Sequence, residues 1–151
     1  PGLKSIEVPV IINFNTLKLT GSGDWLPKKL SKLKESELNI LKSKFKITYD
    51  EIKETNTSLI EENFKAGFKL KLLEMLFNGD CIYSRVDLTE EIKHLGLKTD
   101  MFYFIKNISE IDNKNKDLSS LSISVKYNQN LLLEFYTWEK ITRRIVENII
   151  K

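Results

Sequence analysis

The turn Leu95-Gly96-Leu97 constrains this chain more than any other short segment. A glycine between two leucines can take the left-handed backbone conformation that a tight helix-to-helix turn needs. Before it, Leu88, Ile92 and Leu95 recur at helical spacing, and Asp87 to Glu90 has the spacing of a capping box. After it, Met101, Phe104, Ile105 and Ile108 share one helical face, with Thr99 or Asp100 as the cap. The spacing therefore predicts two short helices braced across a glycine.

The flanking segments extend this pattern. Ser58 to Glu61 is a second capping-box spacing, and Leu59, Ile60, Phe64, Phe68, Leu72, Leu73, Leu76 and Phe77 predict a helix that Asn78-Gly79 ends. Cys81-Ile82-Tyr83 reads as a short extended segment. Beyond a polar loop from Asp112 to Ser120, Leu121, Ile123 and Val125 alternate with polar residues. Leu131, Leu133 and Phe135 alternate in turn, across Asn128-Gln129-Asn130, which is a hairpin by period and by turn residues. A last helix is expected from about Trp138, with Ile141, Ile145, Ile149 and Ile150 apolar.

Ahead of all this, Ile6 to Phe14 alternates as a strand, with Pro9 placing it at an edge or bulge. Leu17 and Leu19 suggest a second strand. Gly21-Ser22-Gly23 is a turn or linker, and Asp24 an N-cap. From Leu26 to Phe45 leucines recur at roughly helical spacing against a lysine-rich face.

The expected fold is α+β: mostly helical, with a winged-helix-like three-helix core and a β-hairpin, plus an N-terminal β-strand pair. A chain of 151 residues is expected to be one domain, 1–151. It divides into a β-rich segment (1–23), a basic helical segment (24–55), and the winged-helix-like core with its C-terminal helix (56–151).

Two resemblances follow from these residues. The run from Leu88 to Tyr136 resembles the winged-helix halves of plasmid replication initiators, in element order and in the Leu95-Gly96-Leu97 turn, and it lacks their basic recognition helix. Asp24-Trp25-Leu26-Pro27-Lys28-Lys29-Leu30, after a short β region, is similar to the strand-to-helix junction of GINS-type replication subunits. The late hairpin does not match that family's helical domain. Both resemblances imply a non-enzymatic, nucleic-acid-associated module in replication or transcription control.

Charge divides the chain. From Glu54 to Asp117 nine basic residues face twelve acidic ones, a net of −3, which is the wrong sign for a helix approaching phosphates. From Leu26 to Lys46 seven lysines face two glutamates, a net of +5. The expected nucleic-acid contacts are therefore Lys28, Lys29, Lys32, Lys34, Lys106, Lys126, Arg143 and Arg144. The alternative is a protein-interaction subunit that does not touch DNA, with Tyr103 and Tyr136 as partner-binding aromatics. DNA or another protein, including a second copy of the chain, is the expected partner.

No enzyme is expected. The lone His94 has no metal-binding companion, and Cys81, the one cysteine, reads as a buried thiol. Glu51-Ile52-Lys53 and Glu91-Ile92-Lys93 have the spacing of a metal-dependent nuclease triplet, but the second falls inside a helix and the first has no upstream acid on a strand. In the nuclease scheme Asp80 or Asp87 would be the partner of Glu91. Gly21 to Gly23 lacks the Gly-Lys-Ser/Thr ending of a phosphate-binding loop. No metal or cofactor is expected. No apolar run is long enough to span a bilayer and no secretory signal is apparent, so the expected location is cytoplasmic.

Overall fold

In a computed structural model, residues 15–20, 33–48, 57–61, 69–112, 118–137, 139, 142–143 and 146–147 are described. The elements in chain order are β1 (Thr16–Thr20), α1 (Glu35–Lys44), β2 (Lys46–Thr48), β3 (Thr57–Ile60), α2 (Lys69–Asn78), β4 (Cys81–Ser84), α3 (Thr89–His94), β5 (Phe102–Phe104), a 3-10 turn (Ile108–Glu110) and α4 (Leu118–Phe135). Among the described residues, five strands run parallel in one sheet of order β2-β1-β3-β4-β5. That is an open, doubly wound α/β arrangement.

Burial explains why the central strands are strands. Every residue of β3 and β4 is buried, as expected of parallel strands covered on both faces. Alternation then sorts the side chains. Ile60, Ile82 and Phe102 join Leu72, Met75 and Leu76 of α2 and Leu121, Val125 and Leu132 of α4 in one core. Leu17, Leu19, Leu59, Cys81 and Tyr83 join Leu41 of α1 with Phe45, Ile108 and Ile111 in the other. The sheet is thus sandwiched, with α1 on one face and α2 and α4 on the opposite face.

This overturns the expected mostly helical, winged-helix-like fold. The segment 121–136 is not a hairpin: α4 runs through it to Phe135. Its inward side is Leu121, Ser124, Val125, Asn128, Gln129 and Leu132, a helical spacing in which half the positions are polar. Those polar groups bind loops. Asn128 Oδ1 accepts the Lys98 amide at 2.7 Å, its Nδ2 donates to the Lys98 carbonyl at 3.1 Å, and Gln129 Nε2 donates to the Phe77 carbonyl at 2.6 Å. The Ser124 hydroxyl donates to Asp100. Asn128 and Gln129 are thus buried and hydrogen-bonded rather than part of a solvated turn from Asn128 to Asn130.

One other expected helix is replaced, and the one expected from Ser58 loses its first residues to β3 while α2 keeps its end. The segment expected as the third helix holds β5 and the 3-10 turn, and the capping-box spacing at Ser58 to Glu61 belongs to β3 and its end. Gly96 does take a positive φ of 80°, but it leads from α3 towards β5 rather than into another helix. Gly79, at φ 81°, closes α2 in the same way, against Val125 of α4. Of the expected N-terminal strand pair, the first strand lies outside the described residues and the second is β1, which pairs in parallel with β2 and β3. In the basic segment, α1 is a helix and 24–32 lies outside the described residues. Past α4, residues 139, 142, 143, 146 and 147 are helical and exposed.

Candidate functional site

In an all-parallel sheet every strand delivers its carboxyl end to the same edge. Adjacent β1 and β3 are each followed by a helix, and those helices lie on opposite faces, α1 after β1 and α2 after β3. The connections diverge there, and open α/β sheets take their ligands in the crevice so formed.

The described residues at that edge are polar and fixed. Glu61 follows β3 directly and is only 1% exposed. Arg85 follows β4, and its backbone N–H donates to the Ile60 carbonyl at 3.3 Å, which ties the two strand ends together. The Ser84 hydroxyl donates to the Val86 carbonyl at 2.7 Å and accepts the Val86 amide at 3.1 Å, holding the turn after β4. The Arg85 guanidinium reaches across to Glu37 in the first turn of α1. Nη1 donates to Oε1 at 3.4 Å and Nη2 lies 3.3 Å from Oε2, with side chains 20% and 17% exposed. Glu37 Oε1 also accepts the Lys34 amide at 3.1 Å, closing the N-terminus of α1.

Deeper in the same layer, Tyr83 and Tyr103 stack with ring centroids 5.3 Å apart. Burial, first of all, pushes the Tyr83 phenol above its ordinary range, so it stays neutral and donates to the Asp112 carbonyl at 2.5 Å. Burial raises Tyr103 as well. Lys44 Nζ donates to the carbonyls of Ser109 and Ile111 at 3.2 and 2.8 Å, joining α1 to the 3-10 turn.

At the opposite, amino edge lies a second polar group. Asp80 precedes β4 and is 2% exposed; its Oδ2 accepts the Ser58 hydroxyl at 2.8 Å. Burial outweighs that hydrogen bond and the nearby Lys18 charge, and raises the carboxyl from 3.8 to about 6.

The described members of the expected nucleic-acid set lie apart. Lys34 caps α1 and Lys126 lies on α4, on opposite faces of the sheet, and both are exposed. Lys106 is exposed just beyond β5, and Arg143 pairs with Glu139 at 3.4 Å. Lys28, Lys29, Lys32 and Arg144 lie outside the described residues. Tyr103 is half-buried in its stack, and Tyr136 packs partly buried against the α2–α4 core. His94 is exposed at the end of α3, Cys81 is buried in β4, and Glu91 to Lys93 sits on α3; the first Glu-x-Lys triplet lies outside the described residues.

Glu37, Glu61 and Arg85 were not among the expected site residues. The available signal was a short apolar run followed within a residue by a charge, in Leu59-Ile60-Glu61 and again in Ile82-Tyr83-Ser84-Arg85. Among the described residues no group of three His, Cys, Asp or Glu could hold a metal ion, and no helix is long and apolar enough to cross a membrane. The chain matches no protein-family model, no curated protein and no solved structure.

Proposed function

We propose that this domain binds a small polar ligand in the crevice outside the carboxyl ends of β1 and β3. The observation that carries this reading is the reversal of strand order between β1 and β3 in an all-parallel sheet. It is supported by the polar residues at that edge. Glu61 is a hydrogen-bond acceptor at the end of β3, and Arg85 supplies a fixed donor fork at the end of β4. Among the described residues, the exposed lysines Lys34 and Lys126 lie on opposite faces of the sheet and so do not share one basic surface for nucleic acid. The geometry favours the crevice over a docking role for Tyr103 and Tyr136, because both rings are engaged in packing.

The test is an amide NMR titration of the full chain with nucleotides, sugar phosphates and dicarboxylates. Shifts are expected at Ile60, Glu61, Ser84, Arg85, Ile105 and Lys106, with Gly79 and Asp80 at the other edge unmoved. Shifts confined to the amino edge, or none with any member of the set, would overturn the proposal.

A further inference from the structure

Among the described residues of the carboxyl edge, Arg85 is a largely buried cation whose bonding is incomplete. A guanidinium has five N–H donors. Arg85 directs two groups at Glu37, and among the described residues that carboxylate is its only side-chain partner. Three donors are left over on a side chain that is four-fifths buried yet still open to solvent. The two contacts it makes, 3.4 and 3.3 Å, are longer than the about 2.7–2.9 Å of a tight charge-assisted bond. The backbone of Arg85 is held to β3, so the guanidinium cannot wander far from the edge.

Glu37 is a replaceable partner. Its Oε1 also accepts the Lys34 amide, and the first turn of α1 favours negative charge on its own account. If the guanidinium turns away, Glu37 keeps both of those interactions. An incoming oxyanion offers Arg85 the same planar, two-oxygen acceptor at a shorter distance.

We propose that Arg85 is the oxyanion-recognition residue of the carboxyl-edge site, and that Glu37 occupies it as an internal counter-anion which a phosphoryl or carboxylate group of the ligand displaces. This rests on the carboxyl-edge reading and gives it a ligand class. The exchange forms and breaks no covalent bond: one carboxylate leaves the fork as another oxyanion enters.

The experiment follows the Arg85 Nε–Hε resonance, and in every variant the backbone amides of Ser84, Lys106, Gly79 and Asp80, of the full chain during titration with inorganic phosphate, with succinate, and with adenosine as an uncharged control. Saturable shifts with phosphate or succinate are expected, and the tighter of the two identifies which oxyanion the ligand carries. Glu37→Gln removes the competing charge but keeps an oxygen for the Lys34 amide. It should tighten oxyanion binding by up to about fivefold, the size expected for losing one partly exposed ion-pair competitor with long contacts. Arg85→Gln should abolish binding, and Arg85→Lys, which keeps the charge and loses the fork, should weaken it. Unchanged oxyanion affinity in Glu37→Gln or in Arg85→Gln overturns the proposal. So does adenosine binding at the carboxyl edge with no oxyanion binding, a result that would leave the carboxyl-edge reading standing. Oxyanion shifts confined to Gly79 and Asp80 overturn both.

Discussion

Strand β4 carries a charged residue just beyond each end, and the two are handled in opposite ways. Asp80, before it, is 2% exposed and takes a hydrogen bond from a neutral hydroxyl on the neighbouring strand. Arg85, after it, is 20% exposed, pairs with a carboxylate on a helix, and keeps donors to spare. Asp80 is closed off at a cost in charge solvation. Arg85 is left open, with its charge compensated. Four buried residues separate the two. The amino edge thus bears on stability and, on the proposed reading, the carboxyl edge on recognition, and substitutions at either end should separate the two effects.

The largest effect should come from removing what the two ends share. Ile82 is fully buried at the centre of β4, paired with Ser58 on one side and Phe102 on the other. Ile82→Ala should cost about 2–5 kcal/mol, the range for truncating a large buried aliphatic side chain. Urea denaturation measures this, and hydrogen exchange adds the location. Protection should fall together at Asp80 and at Arg85. If the Arg85 amide loosened while Asp80 kept its protection, the edges would be independent units and the comparison would need redrawing.

A middle-sized effect belongs to Asp80 alone and depends on pH. Its folded-state pKa of about 6 lies above the ordinary 3.8, so between those values the native protein holds a proton that the unfolded chain has released. Stability from this group is therefore fully present below the lower value and is lost as pH rises through the higher one. Asp80→Asn stays neutral throughout and still accepts the Ser58 hydroxyl. It should be more stable than the parent by about 3 kcal/mol at pH 7, and by less than about 1 kcal/mol at pH 4. Urea midpoints of the two proteins at both pH values decide it. A difference that is the same at pH 4 and pH 7 would mean that the Asp80 charge is not what destabilises the amino edge.

Which parts were legible in the sequence follows from what each residue spends its polarity on. Asp87 and Gly96 were readable because they act locally. Asp87 Oδ1 accepts the Thr89 amide at 3.1 Å at the start of α3, and Gly96 takes the positive φ beyond its end. Gly79 and the extended Cys81-Ile82-Tyr83 were readable for the same reason. Asn128 and Gln129 were not, since their polar groups bind the carbonyls and amides of segments 30 and 52 residues away. Alternation in Leu121 to Val125 then favoured a strand. Ser58 misled in the same way: its spacing to Glu61 suggested a local cap, while its hydroxyl is bound to Asp80, just before the next strand. The site was less legible still. Arg85 and Glu37 lie 48 positions apart, and only the parallel crossover brings them together.

The smallest stability effect is expected at the residue proposed to matter most for binding. Arg85→Gln gives up a partly exposed ion pair with long contacts, and its partner Glu37 retains the Lys34 amide and the start of α1. The loss should be about 1 kcal/mol or less, because such a pair gains little over its hydrated parts. A urea midpoint measured without any added oxyanion checks this, so that ligand linkage does not inflate the parent's stability. With phosphate or succinate present, the gap between parent and variant should widen, since only the parent gains binding energy on folding. A loss comparable to that of Ile82→Ala in oxyanion-free buffer would make Arg85 a structural residue like Asp80. The asymmetry between the two ends of β4 would then vanish, and the case for an exchangeable counter-anion with it.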